Sequence, residues 1–448
     1  MFLNLLLVFF LLFNSCNAYK ILIFNPKYGH SHVNFVGQIA DTLVEAGHNV
    51  TVIVVDMDQS IKHPGTRKAN IYHIPSDPVV VNLFTNKTKL KAMWETSDSI
   101  WAQLDMFNDF MEGQRLLGRQ IFYNKELAKF VKEQKFDIGF TELINIYMLG
   151  LFKAWNIPAT VTGSAIGFMD NYYEMFGLHF PASHIPTIMQ PSHDIMTYRE
   201  RFQNLFSYYF SKIMNKHMLR KYYLLDEFEE KYGKGFYDPF ELIGDRPKTP
   251  KMIEISGIGI PDPKQLDEYW DKILSLRKYT VLISFGSFAR SVEMPIAMKK
   301  GIIETVKKLP EITFIWKYEI PEDNNIEKLE NLVLSKWVPQ NDLLNDSRLS
   351  LFITHGGANS IAELSFRGVP AIAIPVFGDQ FRNAKLIEKH NTGLVMDKSL
   401  LKNSKKLKAT LVSQQLNKRP IGSKRLLIEH IEFACEFGKL PSLDLEII

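Results

Sequence analysis

Apolar positions follow two rhythms along this chain, and the rhythms alternate. Short unbroken runs of Val, Ile, Leu and Phe have the length of buried strands, and longer mixed stretches between them have a helical period. Residues 20–25 (KILIFN) form a first strand, and after a polar turn residues 33–46 form an amphipathic helix that Gly47 stops. Residues 49–56 make a second strand rich in Val and Ile, and residues 136–140 and 159–162 make shorter ones. Residues 164–232 are aromatic and mixed-helical, less regular than a doubly wound sheet requires. A second strand-helix array starts at residues 280–285 and continues through 314–317, 332–334, 349–354 and 369–376. Between the arrays, residues 245–264 gather prolines, Gly257, Gly259 and charged side chains, the composition of a linker. Alternation of this kind predicts an α/β protein with parallel sheets covered by helices. The expected layout is a leader at 1–18, a domain at 19–244, the linker, a domain at 265–430 and a terminal segment at 431–448. No repeat of solenoid period is present.

A length of 448 residues suffices for two separate cores. The net charge of +4 is small for that size, so nucleic acid is not an expected partner. The apolar run FLNLLLVFFLLF, followed by small residues at Cys16 and Ala18, has the form of a cleavable secretory signal. It is short for a membrane span and has no basic residue before it. The expected location is the secretory pathway, in the endoplasmic reticulum lumen. Cleavage would leave Cys435 as the only cysteine, so the fold would rest on burial without a disulfide. Glycosylation sequons occur at Asn49, Asn86 and Asn345, with Asn86 the preferred acceptor. The chain closes at Leu445-Glu446-Ile447-Ile448 without an apolar run of membrane-spanning length.

The chemistry concentrates between Trp337 and Gln380. There a WVPQ segment and an apolar strand lead into His355-Gly356-Gly357 at the start of a helix. Glycines at such a turn let the backbone approach a ligand closely, and the first helical N–H groups lack partners. That geometry suits a diphosphate, with His355 as a further donor. Asn359 and Ser360 fall in the first turn, and Glu363 follows one turn later on the same side, placed to accept both hydroxyls of a ribose. The next strand ends in Gly378-Asp379-Gln380, at the sheet edge where α/β proteins bind ligands. In the first half, Lys27-Tyr28-Gly29-His30-Ser31-His32 brings two histidines to a strand end, and Asp137 and Glu142 are nearby carboxylates on a later strand. Residues 168–180, with Tyr172, Tyr173, Met175 and Phe176, suit either a flat apolar ligand or core packing. Residues 198–218 mix aromatic with basic side chains, as an interfacial helix does, although an ordinary packed helix fits as well.

The 337–380 stretch resembles the nucleotide-sugar signature of the UDP-glycosyltransferase family, which includes animal UDP-glucuronosyltransferases and plant glucosyltransferases. The resemblance runs from about residue 19 to the C-terminus and is closest in style to invertebrate members. It implies a GT-B architecture, two Rossmann-like domains facing a cleft. By resemblance, Trp337 stacks on uracil, and Gln340 and Glu363 hold the ribose. His355, Gly357, Asn359 and Ser360 hold the diphosphate together with Ser287, and Asp379 with Gln380 hold the sugar hydroxyls. His32 matches the family's catalytic base. Glu142 stands where the family has an aspartate that orients the base, one methylene longer. The implied reaction is inverting transfer of glucuronic acid or another hexose, from UDP-glucuronic acid or UDP-glucose, to a hydroxyl of a small lipophilic acceptor in detoxification. It needs no metal and no cofactor beyond the UDP-sugar co-substrate. Peripheral membrane contact and association with family members are further expected partnerships. Family members usually carry a C-terminal membrane anchor and an additional helix near residues 396–404. Their lack here, with Glu142, supports a second expectation: an inactive or truncated member that binds UDP-sugar or associates with an active relative.

Overall fold

A computed structural model describes residues 18–85, 87–95, 100–188, 190, 192, 195–239, 253, 255, 257–389 and 392–402. Residues 1–17 of the leader, with Cys16, half of the expected linker, Asn86, Cys435 and the 431–448 segment lie outside the described residues. Among the described residues, no helix is long and apolar enough to cross a membrane.

Five strands of the first half form one parallel sheet: β1 (Lys20–Pro26), β2 (Asn49–Val55), β3 (Asn70–Ile74), β4 (Ile138–Glu142) and β5 (Ala159–Gly163). Their order is β3-β2-β1-β4-β5. Strand β1 reads as an unbroken apolar run because both its faces are covered. Ile21 and Ile23 pack with Val36, Ile39 and Leu43 of the His30–Glu45 helix, while Leu22 and Phe24 point into the opposite core with Leu117, Ile121 and Tyr147.

Six strands of the second half form another parallel sheet: β6 (Tyr279–Ser284), β7 (Ile312–Lys317), β8 (Leu332–Ser335), β9 (Leu349–Thr354), β10 (Ala371–Ala373) and β11 (Gly393–Val395). Their order is β11-β10-β9-β6-β7-β8. In each sheet the first strand is internal and the winding reverses beside it, between β1 and β4 and between β6 and β9. Crevices open at such reversals, outside the carboxyl ends of the strands. The chain is thus α/β with two parallel, Rossmann-like sheets, as the alternation predicted, and two such sheets are what the GT-B architecture implied by the resemblance requires.

Several boundaries differ from the sequence reading. The first helix begins at His30, because Gly29 in an extended conformation lets its carbonyl accept the Val33 N–H at 3.0 Å. Strand β10 is held to three residues by Pro370 and Pro375 on either side, which have no N–H for a ladder. The helix Lys87–Glu95 of the first half delivers Met93 and Trp94 into the core of the second. Trp94 is fully buried, 5.1 Å from the Phe285 ring, and its indole N–H donates to the Arg290 carbonyl at 3.2 Å. Ile258, beyond the expected linker's midpoint, packs in turn on the first-half core. The halves are therefore tied together by more than one strand of chain.

Candidate active site

His32 sits in the first turn of the His30–Glu45 helix, just past the carboxyl end of β1, and Glu142 is the last residue of the neighbouring β4. The topology brings together two residues 110 positions apart. The Glu142 carboxylate is buried and lies 2.8 Å from Nδ1 of His32. It also accepts the Tyr28 hydroxyl at 2.7 Å and the Ala165 N–H at 3.0 Å. A buried carboxylate is costly unless it is hydrogen-bonded, and this one is saturated with donors. Burial raises its pKa, but the bonds to His32, Tyr28 and Ala165 outweigh burial and hold it below the usual carboxylate value. Burial likewise opposes a charge on His32, and the facing Glu142 more than offsets it, so the imidazole pKa is raised. An ionised carboxylate only accepts, so the proton of neutral His32 resides on Nδ1 and Nε2 keeps its lone pair. Asp137 sits at the other end of the sheet, where it accepts the Lys20 N–H at 2.7 Å.

The second half places an open helix start opposite. Gly357 caps the helix Ala358–Arg367 without any side-chain hydrogen bond, so the first-turn N–H groups stay open. The His355 ring is wedged between two glycines. A Cβ at Gly286 or Gly357 would fall 2.7 or 2.5 Å from its Nε2, which no real side chain tolerates. Gly286 and Gly356 also take left-handed φ values of 76° and 82°. Burial, with Lys317 nearby, lowers the His355 pKa to about 4, so the ring is a neutral donor. Lys317 is itself buried and donates to the Gly286 carbonyl at 2.7 Å, and its cation lies 5.7 Å from the centre of the Trp337 ring. Ser287 follows Gly286 and is half-buried.

Trp337 is 58% exposed, with the His30 ring 5.4 Å away, and offers an open indole. Gln340 donates to Ser360 at 3.1 Å and to Glu363, linking the start of one helix to the inner side of the next. Burial raises the Glu363 carboxyl to about 7, against the opposing effects of Gln340 and Arg367. Asp379 is raised by burial and steadied by Asn383, whose amide donates at 2.7 Å. Gln380 is buried; its oxygen accepts the Val376 and Phe377 N–H groups at 2.8 and 3.1 Å, so only its NH2 remains free to face a ligand.

The halves meet across the cleft at the site itself. Asn359 reaches the Ser31 carbonyl at 3.5 Å, Arg382 donates to the Phe168 carbonyl at 3.2 Å, and the Asp379 carboxylate is near enough to His32 to help raise its pKa. Within the aromatic segment, Tyr172 and Met175 are core, whereas Phe168, Tyr173 and Phe176 are half-buried, with Phe168 5.0 and 5.3 Å from the other two rings. Sequence reasoning missed Tyr28, the Ala165 N–H, Lys317 and Asn383. Only Asn383 had a local signal, lying four residues past Asp379 at the start of the helix Gln380–Lys389.

Comparison with known proteins identifies the family. A Caenorhabditis elegans protein, ugt-56, classed by name with UDP-glucuronosyltransferases, is 28% identical, covering 95% of this chain and 88% of its own. Rat UDP-glucuronosyltransferase 1A8 is 30% identical over 62% of this chain and 54% of its own. The crystal structure of the glycosyltransferase of kitacinnamycin superposes with a TM-score of 0.51 at 16% identity, covering 93% of this chain and 96% of its own, a likeness of fold. The sequence model of the family described as UDP-glucoronosyl and UDP-glucosyl transferase matches residues 19–234 and 236–418. The chain therefore belongs to the UDP-glycosyltransferase family.

Proposed function

We propose that this protein transfers a hexosyl unit, glucuronic acid ahead of glucose, from a UDP-sugar to a hydroxyl of a small lipophilic acceptor, with inversion at the anomeric carbon. One observation carries the reading: a carboxylate-bound histidine with a free Nε2 faces, across a cleft, the open N-terminus of a helix. In this reading uracil stacks on Trp337, and Gln340 and Glu363 hold the ribose. The N–H groups from Gly357 to Ser360, with His355, Asn359 and Ser287, receive the diphosphate. Asp379 and the Gln380 amide hold the sugar hydroxyls. His32 Nε2 takes the acceptor proton as the acceptor oxygen bonds to C1 and the C1–O bond to UDP breaks. Glu142 stabilises the resulting imidazolium. The half-buried Phe168, Tyr173 and Phe176 favour a flat apolar acceptor. The names of the nematode and rat relatives favour glucuronic acid as the sugar. An endoplasmic reticulum lumen location follows from the leader reading.

Incubation of the purified protein with UDP-glucuronic acid or UDP-glucose and a set of phenols and steroids tests this by product mass. The expected result is a conjugate heavier than the acceptor by one sugar residue, with equimolar UDP. Nucleotide binding without conjugate from any donor would refute the catalytic reading. Uridine affinity should also rise with pH through about 7, since ribose hydroxyls donate to the ionised form of Glu363 and binding releases its proton. Uridine lacks a titrating phosphate, so calorimetry between mildly acid and mildly alkaline buffer isolates Glu363. A Glu363→Gln variant should show no such slope, and a slope that persists in it contradicts the assignment.

A further inference from the structure

The helix Tyr198–Tyr222 is built inside out. Its inner face sets a polar anchor among apolar contacts: Asn204 is fully buried, donating to the Ala182 and Ile185 carbonyls at 2.7 Å and accepting the Thr187 N–H at 2.8 Å. Tyr208, on the same face, donates to Glu174 at 2.9 Å. The outer face carries Tyr198, Phe202, Phe206, Tyr209 and Ile213, with Tyr198 92%, Phe202 70% and Ile213 68% exposed. At the helical advance per residue these five fall within an arc of about 80°, opposite Asn204 and Tyr208. Arg199 lies at one border of the arc and Arg201 on the other side, both exposed, whereas Lys212 on that side is paired with Glu174 at 2.5 Å. Glu200 is turned to the helix start, where it accepts the Thr197 N–H at 2.8 Å. Arg199 and Arg201 form no ion pair among the described residues.

We propose that this face docks on an anionic lipid surface, its aromatic stripe buried at the headgroup boundary and its basic borders on lipid phosphates and carboxylates. Aromatic residues between cationic side chains are what a membrane interface accepts. The helix lies on the bilayer and does not span it, since no described helix is apolar enough to cross. A second copy fits the face less well. A twofold pairing sets the same patch on both partners and would bring the arginine borders into like-charge contact. Through Tyr208 and Leu205 the helix packs on Tyr173 and Phe180, so docking would bring the bilayer to the acceptor-side aromatic segment of the proposed function. The docking itself does not rest on that reading.

Flotation of the full chain with vesicles tests the proposal, using phosphatidylcholine alone and phosphatidylcholine with about one-third phosphatidylserine. The protein should float with the anionic vesicles and less with the neutral ones. The triple variant F202S/F206S/I213S should lose about tenfold or more of its vesicle affinity with an unchanged melting temperature. The pair R199E/R201E should lose the preference for anionic lipid, and it decides the matter if the triple variant does not fold. Wild type that stays unbound overturns the proposal. So does undiminished flotation of a folded triple variant or of the arginine pair, since contact through the apolar leader would leave both unaffected. Self-association in lipid-free buffer that the same substitutions abolish would also overturn it, in favour of an interface between copies.

Discussion

His32→Ala lowers kcat for glycosyl transfer by about 10²–10⁴-fold while UDP affinity changes by less than about twofold. The split follows from where the side chain sits. His32 belongs to the first half, its Nδ1 is committed to Glu142 at 2.8 Å, and it supplies none of the donors gathered around His355 and Gly357. Single-turnover rates with UDP binding measured by calorimetry separate the two quantities. A variant that loses nucleotide binding and turnover together would make His32 a structural residue. The pH profile gives a second readout. Catalysis needs the neutral imidazole, and the folded protein raises its pKa. Wild-type kcat/KM should therefore fall as pH drops through a value above that of an ordinary histidine.

Glu142→Gln is expected to cost about 10²–10⁴-fold in kcat, nearly as much as loss of the base. Glutamine keeps the volume, but its single oxygen can retain only one of the hydrogen bonds that Tyr28 and Ala165 now donate to different carboxylate oxygens at 2.7 and 3.0 Å. It replaces an acceptor-only group with one whose NH2 donates toward Nδ1. Neutral His32 would then carry its proton on Nε2, the atom that must receive one from the acceptor. Losing the carboxylate also removes the charge that raises the His32 pKa, so the acid limb of the pH profile should move to lower pH. Glu142→Ala is a poorer test. Removing one member of a buried ionic cluster costs about 3–5 kcal/mol and would confuse folding with chemistry. Glu142→Gln with wild-type kcat and an unmoved profile would show that the extra methylene of this glutamate has taken it out of the reaction.

The placement of the candidate residues in the second half was readable because they are tied to element boundaries. Strand β9 ends at Thr354 as its apolar run predicts, and the residues that follow it occupy fixed offsets at a helix start. The same reasoning placed Asp379 and Gln380 at a strand end, but it could not show that the Gln380 oxygen is occupied by the backbone of its own loop. Glu142 was chosen over Asp137 by family position, and the structure gives a physical contrast: one lies at the carboxyl end of the sheet beside His32, the other at the amino end beside Lys20. Tyr28 was illegible, since its partner Glu142 is 114 residues away and nothing local marks it. Strand β3 was overlooked because only one of its five residues is buried, and β11 because three residues make no pattern. Trp94 reads as one more aromatic on a helix, and its place in the other half's core depends on tertiary packing alone. The outward stripe on Tyr198–Tyr222 was half visible as mixed aromatic and basic residues. Its direction could not be read, because a buried asparagine on the inner face inverts the usual rule.

The most direct test of the account is the anomeric configuration of the product. Proton NMR of a phenol conjugate made from an α-linked UDP-sugar should show the large axial-axial coupling of a β-glycoside, formed with one UDP per conjugate, from a single displacement in which His32 is the base. An α-linked product, or sugar transfer that persists unchanged in His32→Ala, would contradict it.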